Sequence, residues 1–250
     1  MKKFFEWAVT ARTRFFPHQK FTDAVLHAVR AQGLLPVPAA SLEKSKGVIE
    51  IYKDPERRAI VDLVHRVKKE VPFLLTPAEG YQLVKACQQA LKTPGEIAEV
   101  GVFNGGSAKL ICEVKEERYL HLFDTFAGLP DTQEIDRSRF QTGEYSADLQ
   151  KVREYLAAYS NIAFYPGIFP GTAGPVADKR FCFVNLDVDI YQSTKDCLGF
   201  FYPRMNQGGI LMSDDYNFAP GVKKAFDEFF ASRPEPIVEL LGSQCLIVKV

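Results

Sequence analysis

FVNLDVDIYQST (residues 183–194) is an apolar run that stops abruptly at two carboxylates, Asp187 and Asp189. Phe181, Phe183, Val184 and Leu186 supply the pattern of a buried strand, and Ser193 or Thr194 is placed to cap a following helix. Residues i and i+2 of an extended strand point the same way, which predicts that Asp187 and Asp189 face one pocket. A second apolar run, GGILMSDDY (208–216), ends in another acidic pair, Asp214 and Asp215. Parallel strands ending side by side would bring four carboxylates to one sheet edge. Their mutual repulsion favours a divalent cation between them.

Working outward, short apolar runs alternate with helical patterns. IAEVGV (97–102), RYLHLFD (118–124), NIAFYPG (161–167), FCFVNLD (181–187) and GGILMS (208–213) read as strands. PIVELL (236–241) and QCLIVKV (244–250), separated by Gly242 and Ser243, read as a terminal hairpin. The fold expected is α/β: a doubly wound, mostly parallel, seven-stranded sheet with a C-terminal antiparallel hairpin. Thr76-Pro77-Ala78-Glu79 has the form of a capped helix start, so the catalytic domain is placed over 76–250.

Residues 1–75 are expected to form a helical extension that docks on the body, a twin subunit or the substrate. ERRAIVDLVHRVKK (56–69) repeats apolar residues at helical spacing, with His65 beside the stripe as a surface residue. Phe4, Phe5, Ala8, Ala11 and Phe15 form a second stripe whose burial fits a homodimer or an inward fold of one chain. The polar segment at about 131–147 is long for a connection over a sheet edge and reads as a lid.

Composition narrows the class. Of 250 residues, 46% are apolar and 25% charged, an ordinary globular balance. Lys plus Arg equals Asp plus Glu at 31 each, which gives no electrostatic case for a nucleic-acid partner. The five cysteines form no CxxC pair, and Cys182 and Cys245 lie in apolar runs, so a reducing, cytoplasmic setting is expected. The basic, aromatic start is interrupted by Glu6, Arg12 and Arg14 and reads as no signal peptide; no run approaches the ~20 apolar residues of a membrane span.

The turn after the first strand, EVGVFNGGSA (99–108), opens a helix, and its glycines allow close approach to the backbone. The spacing is not GxGxxG, against a nicotinamide cofactor. Asp124 ends the second strand, where doubly wound nucleotide binders place the acid for a ribose diol, although the same residue types also make a tight turn with a capping Asp.

EVGVFNGGSA, LFDTFAGLPD, LDVDIYQST and MSDDY, in this order and spacing, resemble the macrocin O-methyltransferase (TylF/MycF-like) family, covering roughly residues 73–250. The resemblance implies an S-adenosylmethionine-dependent, metal-dependent O-methyltransferase of the class I fold, and three carboxylates with two substrate oxygens and a water would complete an octahedral Mg²⁺ site. It implies Glu99, Gly101, Phe103, Gly105 and Ser107 around the methionine moiety, Asp124 on the ribose with Thr125 and Phe126 beside it, and Gly167 and Ile168 near the adenine. Asp187, Asp214 and Asp215 match the metal carboxylates, and Asp189 the general base. Val188 stands where the family often has glycine.

The chemistry agrees. A hydroxyl is a poor nucleophile at neutral pH; a hard cation lowers its pKa and a nearby carboxylate takes the proton. Vicinal hydroxyls, as on a sugar or catechol ring, suit such a cation as bidentate ligands, so the expected partner is a small hydroxylated acceptor. Each acid has a plainer reading: Asp187 as a helix cap, Asp189 as a loop hydrogen-bonder, one of Asp214 and Asp215 outside the ligand set. His121, within a strand, is read as structural. A metal-independent methyltransferase and a non-catalytic nucleotide-binding module remain the alternative functions.

Overall fold

A computed structural model describes residues 41–45, 48–52 and 54–250. The aromatic stripe and helices expected over 1–32 lie outside the described residues. The chain divides into two compact units, Met1–Ala59 and Ile60–Val250. In the first, β1 (Ser41–Ser45) pairs antiparallel with β2 (Val48–Tyr52), Ser45 opposite Val48. Strand pairing here departs from the helical extension expected, and the run VIEIY has the β-branched and aromatic content that favours it.

The second unit begins within α1 (Pro55–Glu70), earlier than the boundary expected at 76. Ile60, Leu63, Val64 and Val67 are buried in the same core as Leu83, Val84 and Leu110, so this amphipathic stripe belongs to the core of the second unit. α2 (Pro77–Ala90) starts with the expected capping box: Thr76 Oγ1 accepts from Glu79 N–H, and Glu79 Oε2 accepts from Thr76 N–H.

β3 (Glu96–Val100), α3 (Gly106–Cys112), β4 (Leu120–Asp124), α4 (Leu149–Tyr155), β5 (Ile162–Pro166), β6 (Phe181–Leu186), α5 (Tyr191–Phe201), β7 (Met205–Ser213), α6 (Pro220–Phe230), β8 (Val238–Glu239) and β9 (Cys245–Val248) follow. The seven-stranded sheet has the order β5-β4-β3-β6-β7-β9-β8. Pairs from β5 to β7 are parallel; β9 runs antiparallel to both β7 and β8. The terminal hairpin therefore inserts its last strand beside β7 and leaves short β8 at the edge.

Alternating side chains divide the core. Ile97, Leu120, Leu122 and Phe183 pack with α1 to α4, whereas Ala98, Phe123, Val184 and Leu186 pack with α5 and α6. His121 is the structural residue expected: buried, its ring bonds Glu96 (2.6 Å) and Tyr165 (2.9 Å). Among the described residues no helix is long and apolar enough to cross a membrane.

Candidate active site

Chain order reverses at β3, which has β4 on one side and β6 on the other. Ligands of open α/β sheets bind outside the carboxyl ends of the strands at such a point. The glycine turn and all four aspartates lie there. Asp187 N–H continues the β6 ladder onto Val100 O (2.9 Å), and Asp214 N–H continues β7 onto Leu186 O (3.0 Å). Register thus sets the acids side by side, and one oxygen each of Asp187, Asp214 and Asp215 lies within 4.8 Å of the others.

Asp189 reaches this cluster by a different route from the one expected. β6 ends at Leu186, so strand alternation does not carry Asp189. Instead Asp189 has φ 60°, and Ile190 N–H bonds Val188 O at 2.6 Å, closing a γ-turn centred on the aspartate. A non-glycine residue at positive φ in a γ-turn is strained, and such strain concentrates at functional sites. Burial and then the charges of Asp214 and Asp215 hold the Asp187 carboxyl well above the usual range. Burial, the Asp215 charge and a carboxyl–carboxyl hydrogen bond with Asp215 do the same for Asp189. Hard oxygen donors whose ionisation is suppressed by one another fit a divalent cation, which relieves that repulsion.

Glu99 is fully buried in β3. Its register neighbour on β6, Asn185, donates Nδ2–H to Oε1 at 3.0 Å, while Oε2 has no hydrogen-bond partner among the described residues. Burial pushes this carboxyl up to about 7, with Asn185 and then Ser107 offsetting part of the push. An orphan carboxylate oxygen beside a turn that opens a helix fits the ammonium of an amino-acid moiety.

The turn itself is held from within. Asp124 Oδ2 accepts from Val102 N–H (2.6 Å) and Phe103 N–H (2.8 Å), and Oδ1 from Phe126 N–H (2.6 Å). Asp124 therefore clamps the glycine turn to the end of β4, with three of its roughly four acceptor sites taken by these amides. Thr125 turns to its own loop, donating to Gly128 O at 2.6 Å. Gly105, at φ 81°, precedes α3, whose first turn contains buried Ser107. Gly167 N–H bonds Asp124 O (2.9 Å), and beside it the Ile168 side chain is 63% exposed, an apolar surface suited to a base.

The segment at 131–147 is anchored rather than free. Phe140 is buried and meets the Tyr145 and Phe218 rings edge-on, with Arg139 over Phe218. Tyr145 meets Phe103 of the glycine turn edge-on at 5.8 Å. Burial, followed by the charge of Asp189, pushes its phenol up to about 12.

Four residues were missed in the sequence. Asn185 was detectable as an amide inside an apolar strand. Tyr145, Asp136 and Gln244 carried no local signal. Gln244, buried in the hairpin, donates to Asp214 Oδ1 at 2.8 Å and accepts from Gln82 Nε2 at 2.6 Å.

Comparison with known proteins follows the same lines. The tetracenomycin-C 4'-O-methyltransferase of Streptomyces olivaceus that acts on the 8-demethyl-8-(2,3-dimethoxy-alpha-L-rhamnosyl) form is 32% identical over 139 residues, 49% of this chain and 53% of that protein. Demethyldecarbamoylnovobiocin O-methyltransferase of Streptomyces niveus is 29% identical over 154 residues, 55% of this chain and 59% of that protein. The chain thus spans little more than half the length of these two relatives. The solved structure of the O-methyltransferase NovP superposes with a TM-score of 0.66 at 22% identity, covering 78% of this chain and 98% of that one. The macrocin-O-methyltransferase (TylF) family pattern matches residues 81–240, from α2 to the β8–β9 hairpin, and the chain belongs to that family.

Proposed function

We propose that the chain is an S-adenosylmethionine-dependent O-methyltransferase whose acceptor is a vicinal hydroxyl of a small molecule, such as the sugar of a glycosylated natural product. The observation that carries this reading is the convergence, at one strand edge, of the orphan Glu99 oxygen with Asp187, Asp214, Asp215 and the strained Asp189.

S-adenosylmethionine supplies an electrophilic methyl on a sulphonium. Glu99 and Asn185 would hold its amino-acid end, Asp124 would present its one remaining acceptor site to its ribose, and Ile168 would offer an apolar surface to its adenine. Gly101, Phe103, Gly105 and Ser107 shape the turn beneath it. Asp187, Asp214 and Asp215 would hold a divalent cation, which would supply Lewis acidity that makes an acceptor hydroxyl more acidic. Asp189, presented to the cluster by its strained turn, would take the hydroxyl proton. Tyr145, edge-on to Phe103 and within reach of the Asp189 charge, would flank the acceptor.

Calorimetry of the full chain with S-adenosylhomocysteine tests the cofactor, and no binding by the folded protein overturns the reading. Methyl transfer to a panel of rhamnosylated and catechol acceptors, with Mg²⁺ and with EDTA, tests the metal. Full turnover in chelator removes the cation from the mechanism.

A further inference from the structure

Asp136 lies in the middle of the 131–147 segment yet is only 1% exposed. Its Oδ1 accepts from Tyr191 N–H (3.1 Å) and its Oδ2 from Gln133 N–H (3.2 Å). Its own carbonyl accepts from Arg139 N–H (2.9 Å) and Phe140 N–H (3.0 Å), so the side chain is borne on a closed turn. Tyr191 is the first residue of α5, a helix with no side-chain cap from its own N-cap residue, Ile190. Asp136 supplies that cap from 55 positions earlier in the chain. On its other side is α6: a Cβ added to Gly221 would lie 1.9 Å from Asp136 Oδ1 and 2.9 Å from Tyr191 N. One buried carboxylate therefore fills the junction of two helix N-termini, where negative charge is stabilised. α5 follows Asp187 and Asp189, and α6 follows Asp214 and Asp215.

The strained turn at Asp189 lies between two fixed points. Upstream, Asp187 N–H is tied to Val100 O; downstream, Tyr191 N–H is tied to Asp136. Strain of this kind persists only while its surroundings over-determine it. We propose that Asp136 is a positioning residue: it docks the 131–147 segment onto α5 and α6 and so holds Asp189 in its strained conformation. It touches no reacting atom and acts through Tyr191. Its consequence for methyl transfer rests on the function proposed above; the docking itself does not.

The test is amide hydrogen exchange on the full chain, with S-adenosylhomocysteine calorimetry alongside. In Asp136→Ala, exchange at Tyr191 and across 131–147 is expected to rise by about tenfold or more, while β3, β4 and β6 keep their protection. Asp136→Asn retains an oxygen for Tyr191 N–H and is expected to restore most of the protection, a rescue that loss of packing alone would not show. Gly221→Ala, by crowding both Oδ1 and the Tyr191 amide, should likewise raise exchange at Tyr191 and across 131–147. Unchanged exchange at Tyr191 and 131–147 in Asp136→Ala, loss of protection spread evenly through the sheet, or no rescue by Asp136→Asn would each overturn the proposal. Failure of the unaltered chain to bind S-adenosylhomocysteine would sink the methyltransferase reading and leave the exchange pattern to decide the role of Asp136.

Discussion

Gly101 and Asp187 are in main-chain contact. A Cβ on Gly101 would lie 1.7 Å from the Asp187 carbonyl oxygen, and Gly101 has φ 89°. This glycine admits the backbone of the acid-bearing loop. Close approach at this position is what lets the glycine turn and the acid cluster share one strand edge.

Gly101→Ala is therefore expected to destabilise by ~3 kcal/mol or more, because neither backbone yields easily. Gly143→Ala is the control: φ 86° but nothing within 4 Å of its added Cβ, so only the backbone penalty of ~1 kcal/mol remains. Urea denaturation of both variants reads the difference; equal losses would refute the contact.

Asp124→Ala should loosen the turn as well as any hold on ribose. Three backbone N–H groups lose their acceptor, at a cost of ~2–4 kcal/mol. Asp124→Asn keeps one oxygen and should lose less. Exchange at the Val102, Phe103 and Phe126 amides checks this against a change confined to cofactor affinity.

Glu99 makes the stability of the ligand-free chain fall as pH rises. Its carboxyl titrates at about 7 in the fold rather than 4.5, so the folded state holds the proton more tightly than the unfolded one. That contribution is complete below about pH 4.5, is lost as pH rises toward 7, and amounts to roughly 3 kcal/mol as an upper figure. Glu99→Gln should flatten this part of the stability–pH curve. An ammonium ligand at Oε2 favours the ionised form, so binding near pH 6 should release a proton. Calorimetry in buffers of different ionisation enthalpy measures it, and proton uptake would contradict the assignment.

Asp187 and Asp189 carry the same sign, since both carboxyls are raised. A divalent cation should raise the melting temperature more at pH 8, where the acids ionise at a cost, than at pH 5. EDTA should reverse the gain. Gln244→Ala, which removes the amide on Asp214 Oδ1, should weaken the response about tenfold in Mg²⁺ concentration, and Asp214→Asn should abolish it. An undiminished response in Asp214→Asn would place the cation elsewhere.

Much of the fold was legible because its determinants are local. Apolar runs of strand length, the Thr76–Glu79 capping box and the acids closing β6 and β7 depend on neighbours a few residues away. That α1 packs in the core of the second unit was not legible, because its stripe looks the same whether it packs on a partner or on its own body. β7 starts at Met205 rather than Gly208 because pairing with Phe181 continues through a register shift between Phe181 and Phe183.

The candidate site was legible as a set of residue types and not as an arrangement. Sequence alone determined that four carboxylates and a glycine turn end apolar strands, since composition and period are properties of the chain. Tertiary structure decided that β3 pairs with β6, which brings Asn185 to Glu99, and that Asp124 faces the glycine turn. It also decided that Asp189 enters the cluster through a γ-turn and that Asp136 caps a helix 55 residues away. Those relations depend on sheet register and helix packing, which no local pattern encodes, because each partner's pattern is satisfied equally well without the other.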